Sequence, residues 1–376
     1  SSVLRNMPNK TFNASQRLMN VQSPIIPIIS DLIKKNPGTI SLGQGVVYYG
    51  PPQKVINEIT RLNLTDDFHV YSEVEGIAKL HSIISKKLIS ENKISLNQGY
   101  DLIVTAGSNM GFMNTVLSIA DPGDEIILLR PYYFNHEMAI NMINCMPVIV
   151  DTDLHYQPCM EKIINAITPH TKAIVTVSPN NPSGAVYEKK VLEEINKLCK
   201  EKGIYHISDE AYEYFTFGDV NHFSPGSIAN SSDYTISLYS LSKAYGFASW
   251  RIGYMVIPKH LSLSVKKAQD TYLICPTRIS QEAAKLAIPN EMDRAYSDMG
   301  GKGINAHTWH EETVYKVDLP ANRLEHWAKI ESERFANPVF RLFHTELETV
   351  YEEKNRSIDN KDRLLNREVN KLLFKT

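Results

Sequence analysis

From residue 101 to residue 257 the chain alternates between two periodicities, and this alternation limits the possible fold more than any other feature. Asp101–Thr105, Glu125–Arg130, Pro147–Val150, Lys172–Val177, Ile204–Ser208, Thr235–Tyr239 and Gly253–Ile257 are short β-rich runs. Runs that are apolar along most of their length suit strands buried on both faces. Between them, Met110–Ala120, Met160–Ile167 and a stretch inside Val186–Lys202 have helical composition. Strands alternating with helices predict an α/β fold, a mostly parallel sheet with helices on both faces. Ligands of such sheets gather outside the carboxyl ends of the strands. The residues that follow each run are therefore the ones to read for chemistry.

Ala106-Gly-Ser-Asn109 joins the first of these runs to a helical stretch. A strand-to-helix turn of small residues offers free backbone N–H groups and the positive end of a helix dipole to an anion. Gly107, Ser108 and Asn109 are thus phosphate-cradle candidates. Further on, Ser240 and Ser242 precede Lys243, and Arg251 follows eight residues later. A lysine amine can condense with an aldehyde cofactor while hydroxyls and a guanidinium hold that cofactor's phosphate. Asp209 and Tyr212 follow another strand, and Asn181 lies in a loop after a third. A carboxylate at Asp209 can pair with a protonated pyridine nitrogen and keep the ring positive. Asn181 and Tyr212 can both donate to a phenolate oxygen. Each piece alone has a plain reading: Asn-Pro-x-Gly is an ordinary turn, and Ser-x-Ser-Lys occurs in many loops. Their order, each after its own strand, is what points to one shared site.

With these residues in place, positions of about 22–288 resemble the class I/II aminotransferases of the aspartate-aminotransferase superfamily, which depend on pyridoxal 5′-phosphate (PLP). Val104-Thr-Ala-Gly-Ser-Asn109, Pro179-Asn-Asn-Pro-Ser-Gly184 and Ile207-Ser-Asp-Glu-Ala-Tyr212 carry the resemblance. It implies a PLP-dependent-transferase-like large domain over 46–288. The prolines before it predict an irregular N-terminal arm over 1–45 with one short helix, about Ile26–Lys35, then an apolar strand from Thr39 that runs into glycines and prolines, and a helix is expected over about Ile77–Glu91. The resemblance also implies that Lys243 bonds the cofactor and then acts as general base, with Asp209 and Tyr212 assisting. By the same resemblance Tyr133 stacks on the pyridine ring. Gly43 and Asn181 lie by the substrate carboxylate, and Tyr71 reaches the phosphate of a neighbouring subunit. The expected partners are an amino acid, an α-keto acid and a second copy of the chain, as a homodimer.

Other classes are not favoured. A net charge of −2 argues against nucleic acid or an anionic membrane as the main partner. No apolar run approaches the roughly 18 residues of a membrane span. Cys145, Cys159, Cys199 and Cys275 have no metal-ligand or redox spacing, so buried thiols and no bound metal are expected. With no leader pattern in the first residues, the expected compartment is the cytoplasm.

After Ile288 the resemblance changes. Gly300-Gly-Lys-Gly-Ile-Asn-Ala-His-Thr308, Leu319–Trp327, Asn337-Pro-Val-Phe340 and Glu346–Glu353 resemble the insulinase and mitochondrial-processing-peptidase family. Residues 289–376 are therefore expected to form an α+β fragment of that kind. Those peptidases bind zinc through His-x-x-Glu-His together with a glutamate matching Glu353, which one matching Glu346 supports. The sequence contains no His-x-x-Glu-His, and His307-Thr-Trp-His-Glu311 has a different order. None of Arg294, Arg323, Arg334, Arg341, Arg356, Arg363 and Arg367 lies in the strand pattern that supplies the aminotransferases' carboxylate-binding arginine. The leading expectation is an aminotransferase with an intact cofactor site and an impaired substrate site. The alternatives are a non-catalytic PLP-binding protein and a structural partner of peptidase type. The junction fits a natural fusion, an engineered chain or an assembly artefact alike.

Overall fold

Seven strands make one sheet: β1 (Tyr100–Thr105), β2 (Glu125–Arg130), β3 (Met146–Asp151), β4 (Thr171–Val177), β5 (Tyr205–Asp209), β6 (Thr235–Ser240) and β7 (Gly253–Pro258). Their spatial order is β1-β7-β6-β5-β4-β2-β3. β7 runs antiparallel to both its neighbours, while the other pairings are parallel. The computed structural model describes residues 14–23, 25–40, 45, 47–62, 68–288, 302–308, 313–320 and 323–336. It divides the chain into two compact units, Ser1–Asn290 and Glu291–Thr376.

The helices of the first unit are α1 (Gln16–Met19), α2 (Ile25–Lys35), α3 (Gln53–Ile59), α4 (Ala78–Lys87), α5 (Ser108–Ile119), α6 (Phe134–Met142), α7 (Met160–Ala166), α8 (Lys189–Lys202), α9 (Ser262–Tyr272) and α10 (Arg278–Ala287). Alternate strand residues go to opposite faces. Ile126 and Leu128 of β2 join a core with Phe112 and Val116 of α5 and Ile140 of α6. Ile127 and Leu129, one residue out of step, join Ile163 of α7 and Leu192 and Ile195 of α8. A third core sets Leu102 and Val104 of β1 against Leu80 and Ile84 of α4 and Ala283 of α10. Burial on both faces is why these strands read as continuous apolar runs.

Three local expectations differ from what is found. The helix expected over Ile77–Glu91 is α-helical only to Lys87, and Leu88–Asn92 form a π-helical turn. Thr39 and Ile40 carry no strand, and Ile40 lies in solvent. The arm contains more helix than expected, since α1 precedes α2. Neither helix has a buried residue.

The second unit contains the antiparallel pair β8 (Lys302–Thr308) and β9 (Thr313–Asp318), followed by α11 (Leu324–Ala336). The peptidase-like motifs at Asn337–Phe340 and Glu346–Glu353 lie outside the described residues. Among the described residues no helix is long and apolar enough to cross a membrane, and no three His, Cys, Asp or Glu residues cluster as metal ligands.

Candidate active site

The carboxyl ends of β1, β2, β4, β5 and β6 meet at a pocket of about 350 Å³. Ser108, Asn109, Tyr133, Asn181, Asp209, Tyr212, Ser240, Ser242, Lys243 and Arg251 line it, ten residues singled out from sequence. Arg251 arrives by a route that strand order alone does not reveal. It lies just before β7, and because β7 is antiparallel its beginning falls at the same edge as the other strands' ends.

At one end of the pocket, α5 begins at Ser108 with no side chain capping its first N–H groups. Unsatisfied N–H groups at a helix start attract an anion. The preceding Gly107 has φ +87°, and a Cβ there would lie 2.4 Å from Arg251 Nη2. Only glycine lets the guanidinium settle over this turn. Arg251 Nη2 donates to Ala106 O at 3.2 Å, and Nη1 donates to Ala248 O at 3.0 Å and to Ser242 Oγ at 3.5 Å. Ser240 Oγ accepts from Ser242 N at 3.1 Å, which folds the serine pair under the same corner.

Lys243 Nζ reaches across and donates to Gly45 O at 2.6 Å. It also sits 5.6 Å from the centre of the Tyr212 ring. Burial, and then the positive charge of Arg251, lower the Lys243 pKa below the ordinary lysine value. Tyr212 OH accepts from Asn181 Nδ2 at 3.5 Å. Burial, reinforced by Tyr133 and Asp209, pushes the Tyr212 phenol up to about 12, so it keeps its proton and can donate. Tyr133 is raised too, chiefly by burial, with a hydrogen bond to Asn109 offsetting part of it. Asn180 ties the loop after β4 to the one after β2, donating from Nδ2 to Pro131 O at 3.2 Å.

Asp209, only 4% exposed, lies at the far end. Its Oδ1 accepts from Ala211 N at 3.1 Å, and its Oδ2 lies 3.1 Å from His136 Nε2. His136 is itself buried and stacked on Phe112 at 4.0 Å. Sequence reading missed it. The only local signal was a histidine three positions after Tyr133, on a segment not read as a helix. Also missed were Gly45, Ile26, Phe134, Val177, Ala211 and Ala248 on the pocket wall. Gly43 lies outside the described residues, so Gly45 is the glycine found at the pocket. Tyr71 does not line it and is 77% exposed.

The donor set fits PLP on this chain's own geometry. An uncapped helix start, two hydroxyls and a guanidinium form an anion corner. A buried carboxylate lies at the other end of the pocket, and an amine with a lowered pKa faces both phenol and carbonyl between them. The tight seat of Arg251 over Gly107, which a Cβ would fill, marks that corner as built for a ligand.

The model of the family described as "Aminotransferase class I and II" matches residues 37–303, running past the boundary expected at 288. An aromatic aminotransferase, ISS1, of Arabidopsis thaliana is 33% identical over 282 residues, which cover 73% of this chain and 70% of that protein. The aspartate/prephenate aminotransferase of Thermus thermophilus is 34% identical over 272 residues, covering 72% and 69%. The structure of Thermus thermophilus aspartate aminotransferase with maleate superposes with a TM-score of 0.70 at 30% identity, covering 77% of this chain and 76% of that one.

Proposed function

The chain belongs to the class I and II aminotransferases, PLP-dependent enzymes of amino acid metabolism, and from that premise we propose how its own residues carry the transfer. The substrates are an amino acid and an α-keto acid. When bound, PLP supplies an aldehyde that carries the amino group and a ring that takes up the electrons left by the broken Cα–H bond.

Gly107, Ser108 and Asn109 hold the phosphate with backbone N–H groups, and Ser240, Ser242 and Arg251 complete the corner. Lys243 is the covalent anchor. Its free amine would serve as general base at Cα, a task that its lowered pKa favours. Asp209 holds the proton on the ring nitrogen, oriented by His136 at 3.1 Å. Tyr212 and Asn181 hold the phenolate oxygen, and Tyr133 packs on the ring. Ile26 and Phe134 on the pocket wall favour an uncharged donor side chain. Tyr71 serves the phosphate of a second copy in a homodimer, a role that its exposure permits.

The observation that carries this assignment is the convergence of Lys243, Asp209, Tyr212, Ser108 and Arg251 on one pocket from different strand ends. The test is borohydride trapping of the PLP-loaded protein followed by peptide mapping. The adduct should map to Lys243, and Lys243→Ala should abolish it. An adduct on any other lysine removes the assignment.

For residues 289–376 the expectation is that no zinc-dependent proteolysis occurs, because the sequence lacks His-x-x-Glu-His. Chelator-sensitive cleavage of an unstructured peptide, lost in Glu353→Gln, would be the contrary result.

A further inference from the structure

The turn after β5 has two sets of side chains. Asp209 and Tyr212 line the pocket, whereas Glu210 and Glu213 do not, and are bound into a separate buried network. Glu213 accepts from Lys87 Nζ at 2.6 Å and 2.5 Å through its two carboxylate oxygens, and from Asn92 Nδ2 at 2.9 Å. Asn92 Nδ2 also donates to Ser224 Oγ at 2.8 Å, and Ser224 Oγ donates to Glu210 Oε2 at 2.5 Å. His222 Nε2 lies 2.8 Å from the same Glu210 oxygen. One continuous chain of contacts therefore runs from Lys87 through Glu213, Asn92 and Ser224 to Glu210.

Lys87 is 1% exposed and Asn92 5%. A buried ammonium is costly unless its protons are all engaged. The Lys87 ammonium meets Glu213 and Asn92 Oδ1, the latter at 2.8 Å, and lies 4.8 Å from the centre of the Tyr239 ring. The backbone is shaped to allow this. In an α-helix, residues five apart are about 140° apart around the axis, so Lys87 and Asn92 would diverge. The π-helical turn Leu88–Asn92, whose bonds run to the fifth residue, brings them side by side. It ends on Lys93 at φ +59°, a left-handed conformation uncommon for a residue with a side chain. Two unfavourable backbone states in succession serve one result, the presentation of Lys87 and Asn92 together to Glu213.

We propose that Lys87 and Asn92 are positioning residues for the transfer reaction. They hold Glu213 directly and Glu210 through Ser224, and so fix the turn that aims Asp209 and Tyr212 into the pocket. The proposal rests on the roles assigned above to Asp209 and Tyr212. A misplacement of about 1 Å at reacting groups costs on the order of 10²-fold in rate, so anchoring at both ends of a five-residue turn has a kinetic consequence.

The test compares Lys87→Met/Glu213→Leu, which replaces the ion pair with apolar bulk, and the milder Asn92→Ala, which leaves the pair intact. Leu192→Ala, in the core of α8, is the control for plain destabilisation. Three readouts are taken below the melting temperature: the pH midpoint of the PLP-loaded protein's visible band, kcat and KM for an amino acid, and melting of the apoprotein. Both network variants should move the midpoint, the double variant by about one pH unit. The double variant's kcat should fall on the order of 10²-fold with KM little changed. Leu192→Ala should lower melting and leave the midpoint in place. Network variants that melt earlier yet keep the wild-type midpoint and kcat would overturn the proposal, leaving the network a structural one. If Asp209→Asn itself leaves midpoint and turnover untouched, the assignment of the site fails instead, and the two failures are told apart.

Discussion

Replacing Gly107 with alanine should weaken PLP binding as well as the fold. The position has φ +87°, and an added Cβ would lie 2.4 Å from Arg251 Nη2 and 3.1 Å from its Cζ. At ψ 165° this backbone is one that almost only glycine adopts, and it costs a residue with a side chain about 1–3 kcal/mol. The steric conflict is relieved separately. The atoms in the way are the far end of a flexible side chain, so the guanidinium swings aside at little cost to folding. It then leaves the anion corner. One charge-assisted hydrogen bond is worth about 1.5–3 kcal/mol, so affinity for PLP should fall about 10- to 150-fold. Gly123 supplies the control. Its φ is +93° and nothing lies within 4 Å of a Cβ built there. Gly123→Ala should also carry a positive-φ backbone cost and leave PLP affinity unchanged. Titration of apoprotein with PLP, followed by visible absorbance, gives the affinities, and thermal melts give the stabilities. Equal PLP affinity in Gly107→Ala and wild type would refute the reasoning. So would an affinity loss in Gly123→Ala as large as that in Gly107→Ala.

The lowered pKa of Lys243 predicts that apoprotein reacts with phosphate-free pyridoxal increasingly fast as pH rises, levelling off below 10.5. Arg251→Met should raise that midpoint only part of the way, because burial is the larger cause, and a wild-type midpoint at or above 10.5 would contradict the assignment. By linkage the unfolded chain holds this proton more tightly, so apoprotein stability should gain from Lys243 as pH rises between its folded value and 10.5. Asp209→Asn should lower transamination far more than PLP occupancy, since its charge serves the ring's electron uptake, and equal losses in both would remove that role. The expected lack of an arginine in the family's carboxylate-binding pattern would remove about 3–6 kcal/mol of two-pronged binding. Single-turnover conversion of bound PLP by a panel of aspartate, glutamate, aromatic and aliphatic donors should then be slow and saturate only at high donor concentration. Fast, saturable conversion by any donor would mean that another arginine does the work.

The sheet was legible because burial on both faces writes itself into composition. Ile126-Ile-Leu-Leu129 has an apolar residue for each face, and the structure sends alternate ones to different cores. The pocket-lining residues were legible because each lies within a few residues of a strand end, so local order carried the information. Arg251 was read by its nearness to Lys243. The cause of its placement, the reversal of β7, depends on pairings with β1 and β6 that no local pattern encodes. Gly45 escaped because two glycines stand one residue apart in Gly43-Gln-Gly45, and spacing alone does not say which approaches the lysine.

The side chains behind the site were illegible for a different reason. Lys87 and Glu91 have the four-residue spacing of an ordinary surface pair on a helix, and they do lie 3.5 Å apart. Nothing in that spacing signals that Lys87 is buried. Its burial depends on Glu213, 126 positions away, and on a helix that widens at Leu88 so that Asn92 can join them. The same holds for His136, which takes its meaning from Asp209, 73 residues further along the chain. A charged residue in sequence reads as solvent-exposed, since that is where most are found. Its partners reveal whether it is buried, and those partners are chosen by the fold. In Asp209-Glu-Ala-Tyr-Glu213 the pocket-lining positions could therefore be read as chemistry, while the alternate acids could be seen as anchors only once the chain had folded.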